Sequence, residues 1–222
     1  MSNKVSFKEI KESEEVRTYI KQADASLQAI GYTEHSFAHA TKCAEVAGWI
    51  LEELNYSQDE IELVKIAAYM HDIGNVVNRV DHAQSGAVMA FRLLDKMGME
   101  PINTAAVITA IGNHDEHTAF PVNAVAAALI IADKTDVRRS RVRNKATIHT
   151  DIHDRVNYAV EKAELKIDKN EKTIMLLLTI DTNICAVMDY FEIFIDRMIL
   201  CRKAADFFGL KFKLNINDST LL

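Results

Sequence analysis

Eight histidines stand at positions 35, 39, 71, 82, 114, 117, 149 and 153, and the first five fall at or near expected helix ends or faces, next to carboxylates. The sharpest pairing is His71-Asp72, which closes an apolar run. A neutral imidazole beside a carboxylate, at the frayed end of a helix, can hold a divalent cation and position its water. Glu34-His35 lies upstream, and Asp133 follows the apolar run 126–132, a costly place for an unpaired carboxylate. An HD dipeptide alone is common by chance. Its company gives it weight.

The order His35, His71-Asp72, Asp133 resembles the HD superfamily of metal-dependent phosphohydrolases, over roughly residues 30–145. The local words agree: Thr-Glu-His-Ser at 33–36, Tyr-Met-His-Asp-Ile-Gly-Asn at 69–75 and Ile-Ala-Asp-Lys at 131–134. The resemblance implies that His35, His71, Asp72 and Asp133 hold one metal. His82 and His114 look like the two further histidines of members with a second metal, Asp72 then being the bridging carboxylate, a layout also similar to HD hydrolases of diadenosine polyphosphates. Ile73-Gly74-Asn75 lacks the Glu-Asp pair of the guanosine tetraphosphate hydrolases, and the chain lacks the Gly-Tyr-Pro signature of the cyclic-di-GMP group. Fe, Mn, Mg, Ni and Zn all remain open as the metal, with one or two ions.

His39 lies one turn after His35 on an expected helix and so shares its side. It is a candidate ligand, proton donor or supporting group. With Asp72 orienting the water, proton transfer to a leaving oxygen needs a further group, for which His39, His114 and Asp115 are candidates. Downstream of Asp133, residues 134–145 are densely basic. At 100° per residue, a continuing helix puts Arg141 about 80° from Asp133 and Arg138 about 140° away. Arg141 and Lys134 are therefore the expected phosphate contacts, arginine because its fork donates two parallel hydrogen bonds.

The elements that must position these groups read mainly as helices. Apolar positions Val16, Ile20, Ala23, Leu27 and Ile30 recur at helical spacing across residues 7–30, and Gly31 stops them. Further helices are expected over 35–54, from a capping box at 57–60 to 70, from 81 or 85 to 98, over 101–112, and from 121 through 133 and beyond. Gly74 is expected to take a left-handed turn. The period then changes: a hairpin over 164–168 and 173–181, a long helix over 184–208 and a strand over 210–217. The expected class is mainly α, an HD-type helical bundle over 1–160 with a small β-β-α-β subdomain over 161–222. The long helix is apolar on more than one side and reads as a lid, a docking layer or a homodimer interface.

Composition sets the remaining bounds. Apolar residues are 49% and charged residues 26% of 222, which excludes a wholly disordered chain. The nearly apolar stretch 122–132 is about half of what a bilayer span requires, and the start shows no apolar leader, so a cytoplasmic protein without membrane contact is expected. A net charge of -6 argues against coating nucleic acid. Cys43, Cys185 and Cys201 are widely spaced in apolar surroundings and read as buried thiols. The expected activity is hydrolysis of a phosphate ester or anhydride of a small molecule, a nucleotide or dinucleoside polyphosphate. The rivals are a di-iron HD-type oxygenase and a non-catalytic nucleotide-sensing module.

Overall fold

A computed structural model describes residues 5–221, so part of the chain start that carried the no-leader expectation lies outside the described residues. The helices are α1 (Phe7–Glu12), α2 (Glu14–Ala29), α3 (Phe37–Glu53), α4 (Gln58–Met70), α5 (His82–Lys96), α6 (Pro101–Gly112), α7 (Ala124–Lys134), α8 (Ile152–Ala159) and α9 (Val187–Phe207). Strands β1 (Val160–Asp168), β2 (Thr173–Ile180), β3 (Lys211–Ile216) and β4 (Ser219–Thr220) form a single sheet in that order. The expected class, mainly α with a small C-terminal α+β part, is the observed one.

Local chemistry explains most boundaries. Ser57 and Glu60 close the capping box of α4, and Pro101 sits at the start of α6, where its missing N–H is not needed. The expected single helix over 7–30 is two helices. Ser13 ends α1 and caps α2 by accepting from Val16 N, offering the backbone an alternative to a continuous ladder. The expected start of α3 at 35 also moves: Ser36 is its N-cap, leaving His35 outside the helix.

The core is continuous from Ile10 through the sheet to Ile216. Its centre is α7, whose residues 125–132 are all buried between α3, α4, α6 and α9. Strand β2 pairs antiparallel with β1 and parallel with β3, because α9 carries the chain across between β2 and β3. Ile174, Leu176, Leu178 and Ile180 alternate inward, matched by Phe212, Leu214 and Ile216. Buried Tyr190, Phe194, Met198 and Cys201 seat α9 on the helical layer.

Two glycines let α5 approach the turn after His71-Asp72. A Cβ on Gly74 would lie 2.0 Å from His82 O and 2.5 Å from Gly86 N, and one on Gly86 would meet His71 O at 3.2 Å. Gly74 is not among the residues with positive φ, so its need is close approach rather than the expected left-handed turn. All three cysteines are free and buried, as expected.

Candidate metal centre

The ends of four helices and the first turn of a fifth converge. His71 follows α4, Asp72 opens the short 3-10 turn Ile73–Val76, His82 begins α5, His114 follows α6 and its cap Asn113, and Asp133 lies one residue from the end of α7. His39 joins from the first turn of α3. Helix ends suit this task because their last carbonyls have no partner within the helix. His71 Nδ1 donates to Ala68 O at 2.7 Å and His114 Nδ1 to Ile111 O at 2.6 Å, both in the last turn of a helix, whereas His82 Nδ1 donates to the loop carbonyl of Arg79 at 3.0 Å. His39 Nδ1 donates instead to Asp136 Oδ2 at 2.7 Å.

These bonds fix the tautomers, since a carbonyl or carboxylate can only accept. The Nδ1 of each ring therefore carries a proton, and the Nε2, bare wherever the ring is neutral, faces inward. His39 Nε2 and His71 Nε2 then lie 3.3 Å apart, and His82 Nε2 and His114 Nε2 3.1 Å apart. Two acceptors that close repel unless positive charge lies between them. The carboxylates point to the same place: Asp72 Oδ2 is 3.2 Å from His71 Nε2, Asp72 Oδ1 is 3.5 Å from His82 Nε2, and Asp133 Oδ1 is 3.4 Å from His39 Nε2. Asn75 Nδ2 holds Asp72 Oδ1 at 2.9 Å.

The electrostatics show the same demand for a cation. Burial works against charge on His71, yet Asp72 and Asp133 outweigh it and lift its pKa to about 10. Burial pushes His82 down to about 4 despite Asp72, with His114 and Arg79 adding to the depression. Burial raises Asp72 and Asp133, but His71 acting on the first and Lys134 on the second hold both well below the usual carboxylate range. Donor atoms of His39, His71 and Asp72 gather within metal-ligating reach, as do those of Asp72, His82 and His114. Nitrogen and carboxylate oxygen in this mixture suit a divalent transition ion.

The HD domain family model matches residues 36–192. The chain belongs to the HD domain family. HD domains bind divalent metals, and membership supports a metal-dependent hydrolase in general terms. An uncharacterized protein of Methanocaldococcus jannaschii is 25% identical over 196 residues, 78% of this chain and 75% of that protein. The crystal structure of a predicted HD superfamily hydrolase from an uncultured Thermotogales bacterium is 26% identical, covers 56% of this chain and 67% of that one, and superposes with a TM-score of 0.45.

Within the HD domain the sequence expectations fare differently. His71, Asp72, His82, His114 and Asp133 are brought together. His35 is not in any of the ligand groupings among the described residues, and His39 occupies the place expected for it. With α3 starting at Phe37, His35 sits on the approach, its Nδ1 donating to Thr33 O and its ring 5.4 Å from that of His39. Asp115 bears on His82 by charge but joins no grouping.

The basic segment departs most. Helix α7 stops at Lys134, which voids the angular argument. Lys134 is buried and its Nζ is held by Asp133 Oδ2 at 2.7 Å and Glu116 Oε2 at 2.6 Å, so its charge is already taken up. Arg141 returns on a 3-10 turn, donating from Nε to Glu34 O and from Nη1 to Asp136 O. Arg138, set about 140° from Asp133 by the helical count, pairs with Asp136 and Glu34, whereas Arg139 is exposed over the ring of Tyr158.

Beside the centre opens a cavity of about 470 Å3, bordered by His35, Arg79, Glu116, Arg141, Phe194 and Arg197 among others. The sequence reading assigned no role to Asn75, Arg79, Glu116, Asp136 or Arg197. Asn75, Arg79, Glu116 and Asp136 stand within three residues of a predicted ligand, and that proximity was the available signal. Arg197 is 64 positions beyond Asp133 and had none.

Proposed function

We propose that this HD domain is a metal-dependent phosphohydrolase cleaving a phosphate ester or anhydride of a small molecule, in the nucleotide or dinucleoside polyphosphate class. The observation that carries the reading is the pair of facing Nε2 contacts closed by Asp72, directly beside a cavity bordered by arginines. In this reading His39, His71, Asp72 and Asp133 hold one ion, and Asp72, His82 and His114 a second. A bound divalent ion supplies an acidified water and neutralises developing charge on phosphate oxygens.

The chain's own groups do the rest. Asp72, held by Asn75, orients the attacking water, and Arg141 presents positive charge from the cavity wall. With His39 and His114 assigned to the ions in this reading, Asp115, of the three groups considered for protonating the leaving oxygen, keeps that role, and His35 on the approach joins it. Residues 1–160 carry the chemistry, while 161–222 close one wall through α9. The setting is cytoplasmic, and the homodimer remains a reading of the exposed α9 residues Met188 and Ile195. No helix among the described residues is long and apolar enough to cross a membrane.

The test is elemental analysis of the purified protein followed by phosphate release from nucleotides, dinucleoside polyphosphates and sugar phosphates with added manganese. Metal-dependent phosphate release is expected. Oxygen uptake by an iron-loaded, anaerobically prepared sample without phosphate release would instead establish the oxygenase. Tight nucleotide binding without turnover would establish a sensor.

A further inference from the structure

Arg197 lies on α9, in the C-terminal part of the chain, yet its guanidinium reaches the cavity beside the metal centre. Its Nε donates to Glu116 Oε1 at 2.9 Å, Glu116 Oε2 receives Lys134 Nζ at 2.6 Å, and Lys134 Nζ meets Asp133 Oδ2 at 2.7 Å. Four side chains of alternating charge thus run from α9 to a residue of the metal centre. Asp133 presents its other oxygen, Oδ1, to His39 and His71.

The chain of contacts decides which cation is left for a substrate. Lys134 is enclosed by two carboxylates. Arg141 has two donors committed to carbonyl oxygens, and Arg79 Nη1 is 3.0 Å from His82 Nε2. Arg197 differs. Only its Nε is engaged, and among the described residues no hydrogen bond takes its two terminal nitrogens. The ring of Phe194 lies 4.5 Å beneath the guanidinium carbon and fixes the plane of the fork. A planar fork held at one corner, on a residue that borders the cavity and with its two terminal nitrogens free of protein partners among the described residues, matches phosphate geometry.

We infer that Arg197 binds a non-reacting phosphate of the substrate, and that the substrate class is therefore one carrying two or more linked phosphates rather than a simple monoester. The inference rests on the phosphohydrolase reading above. Lys134 and Glu116 stand between Arg197 and Asp133, so the group Arg197 meets is not the phosphoryl held at the metals but its neighbour. Glu116 meets Arg197 through one oxygen and Lys134 through the other, so the fork is anchored at one corner. Helix α9 then supplies selectivity as well as a wall.

The test compares binding of inorganic phosphate and of methylenediphosphonate, whose P–C–P bridge resists hydrolysis, to manganese-loaded protein by calorimetry. Wild type is expected to bind the diphosphonate at least about tenfold more tightly than phosphate. R197Q is expected to lose that preference with its manganese content unchanged, and R197K, which keeps a cation against Glu116 without the fork, to lose most of it. If R197Q melts at a much lower temperature than wild type, R197K alone decides. A variant that folds, holds its metal and keeps the wild-type preference overturns the inference while leaving the phosphohydrolase reading intact. Manganese-loaded wild type that binds neither ligand overturns the reading and the inference together.

Discussion

The two halves of the metal centre share Asp72 but are held by different means. In the first, His39 and His71 face each other, His39 is braced by the carboxylate of Asp136, and Asp133 is braced by Lys134. In the second, His82 and His114 rest on backbone carbonyls alone, and Arg79 Nη1 stands 3.0 Å from His82 Nε2. A carboxylate behind an imidazole makes it a stronger donor than a carbonyl does. A guanidinium in front of one competes with an incoming cation. The first half is therefore expected to bind its ion more tightly, and the second to fill only once Arg79 yields. In the two-ion reading proposed above, Asp72 would serve both of these unequal halves.

The largest effect should come from the residue common to both. Asp72→Ala removes a ligand from each half and is expected to empty the centre and reduce turnover more than about 100-fold, beyond the range typical of supporting residues. Helical content by circular dichroism should persist. Elemental analysis showing a full complement of metal, or turnover above about a tenth of wild type, would show that the centre does not depend on Asp72.

Next comes the pair that the sequence ordered the other way. His39→Ala is expected to weaken the tighter ion by at least about 100-fold, whereas His35→Ala should leave metal affinity within about threefold and act on kcat/KM instead. Titration of each variant with manganese distinguishes them, and the opposite pattern would return the first ligand position to His35.

Asp136→Asn keeps the shape behind His39 but removes the charge. The tighter ion should weaken by about 10- to 100-fold while the weaker one stays unchanged, read as a shift in only one of two calorimetric steps. A shift in both steps would mean the halves are braced together. The smallest effect is expected from Arg79→Ala, which should tighten the second ion by up to about tenfold, or about 1.4 kcal/mol, by removing a competing cation. Weaker binding of the second ion would show that Arg79 orients His82 rather than opposing the metal.

Much of this was legible in the residues themselves. Capping boxes, Pro101 at a helix start and the change from helical to alternating spacing near residue 160 are local signals, and local signals survive without tertiary context. His71-Asp72 and Asp133 stood out because polar groups at the ends of apolar helices need a partner to be worth burying, and His82 and His114 through the resemblance to members with a second metal. What failed was extrapolation past an element boundary. His35 was implied as a ligand by the resemblance rather than by helix geometry, and α3 starts at Phe37 with His39 in its first turn, whereas the placing of Arg141 assumed a helix continuing past Lys134, where α7 ends.

The sequence by itself determined a helical HD domain, a C-terminal sheet and the residue types that meet a cation, since periodicity, capping and the cost of burying charge act over a few residues. Only the tertiary structure decided which imidazole faces which, and which cation stays free for substrate. Tautomers are set by carbonyls and carboxylates that packing brings up, as Asp136 is brought to His39 across 97 positions. Likewise Lys134 is spent on Glu116, and Arg197 arrives from α9, because α7 lies buried between the first helices and the last. Charges so distant in sequence have no local reason to know of one another.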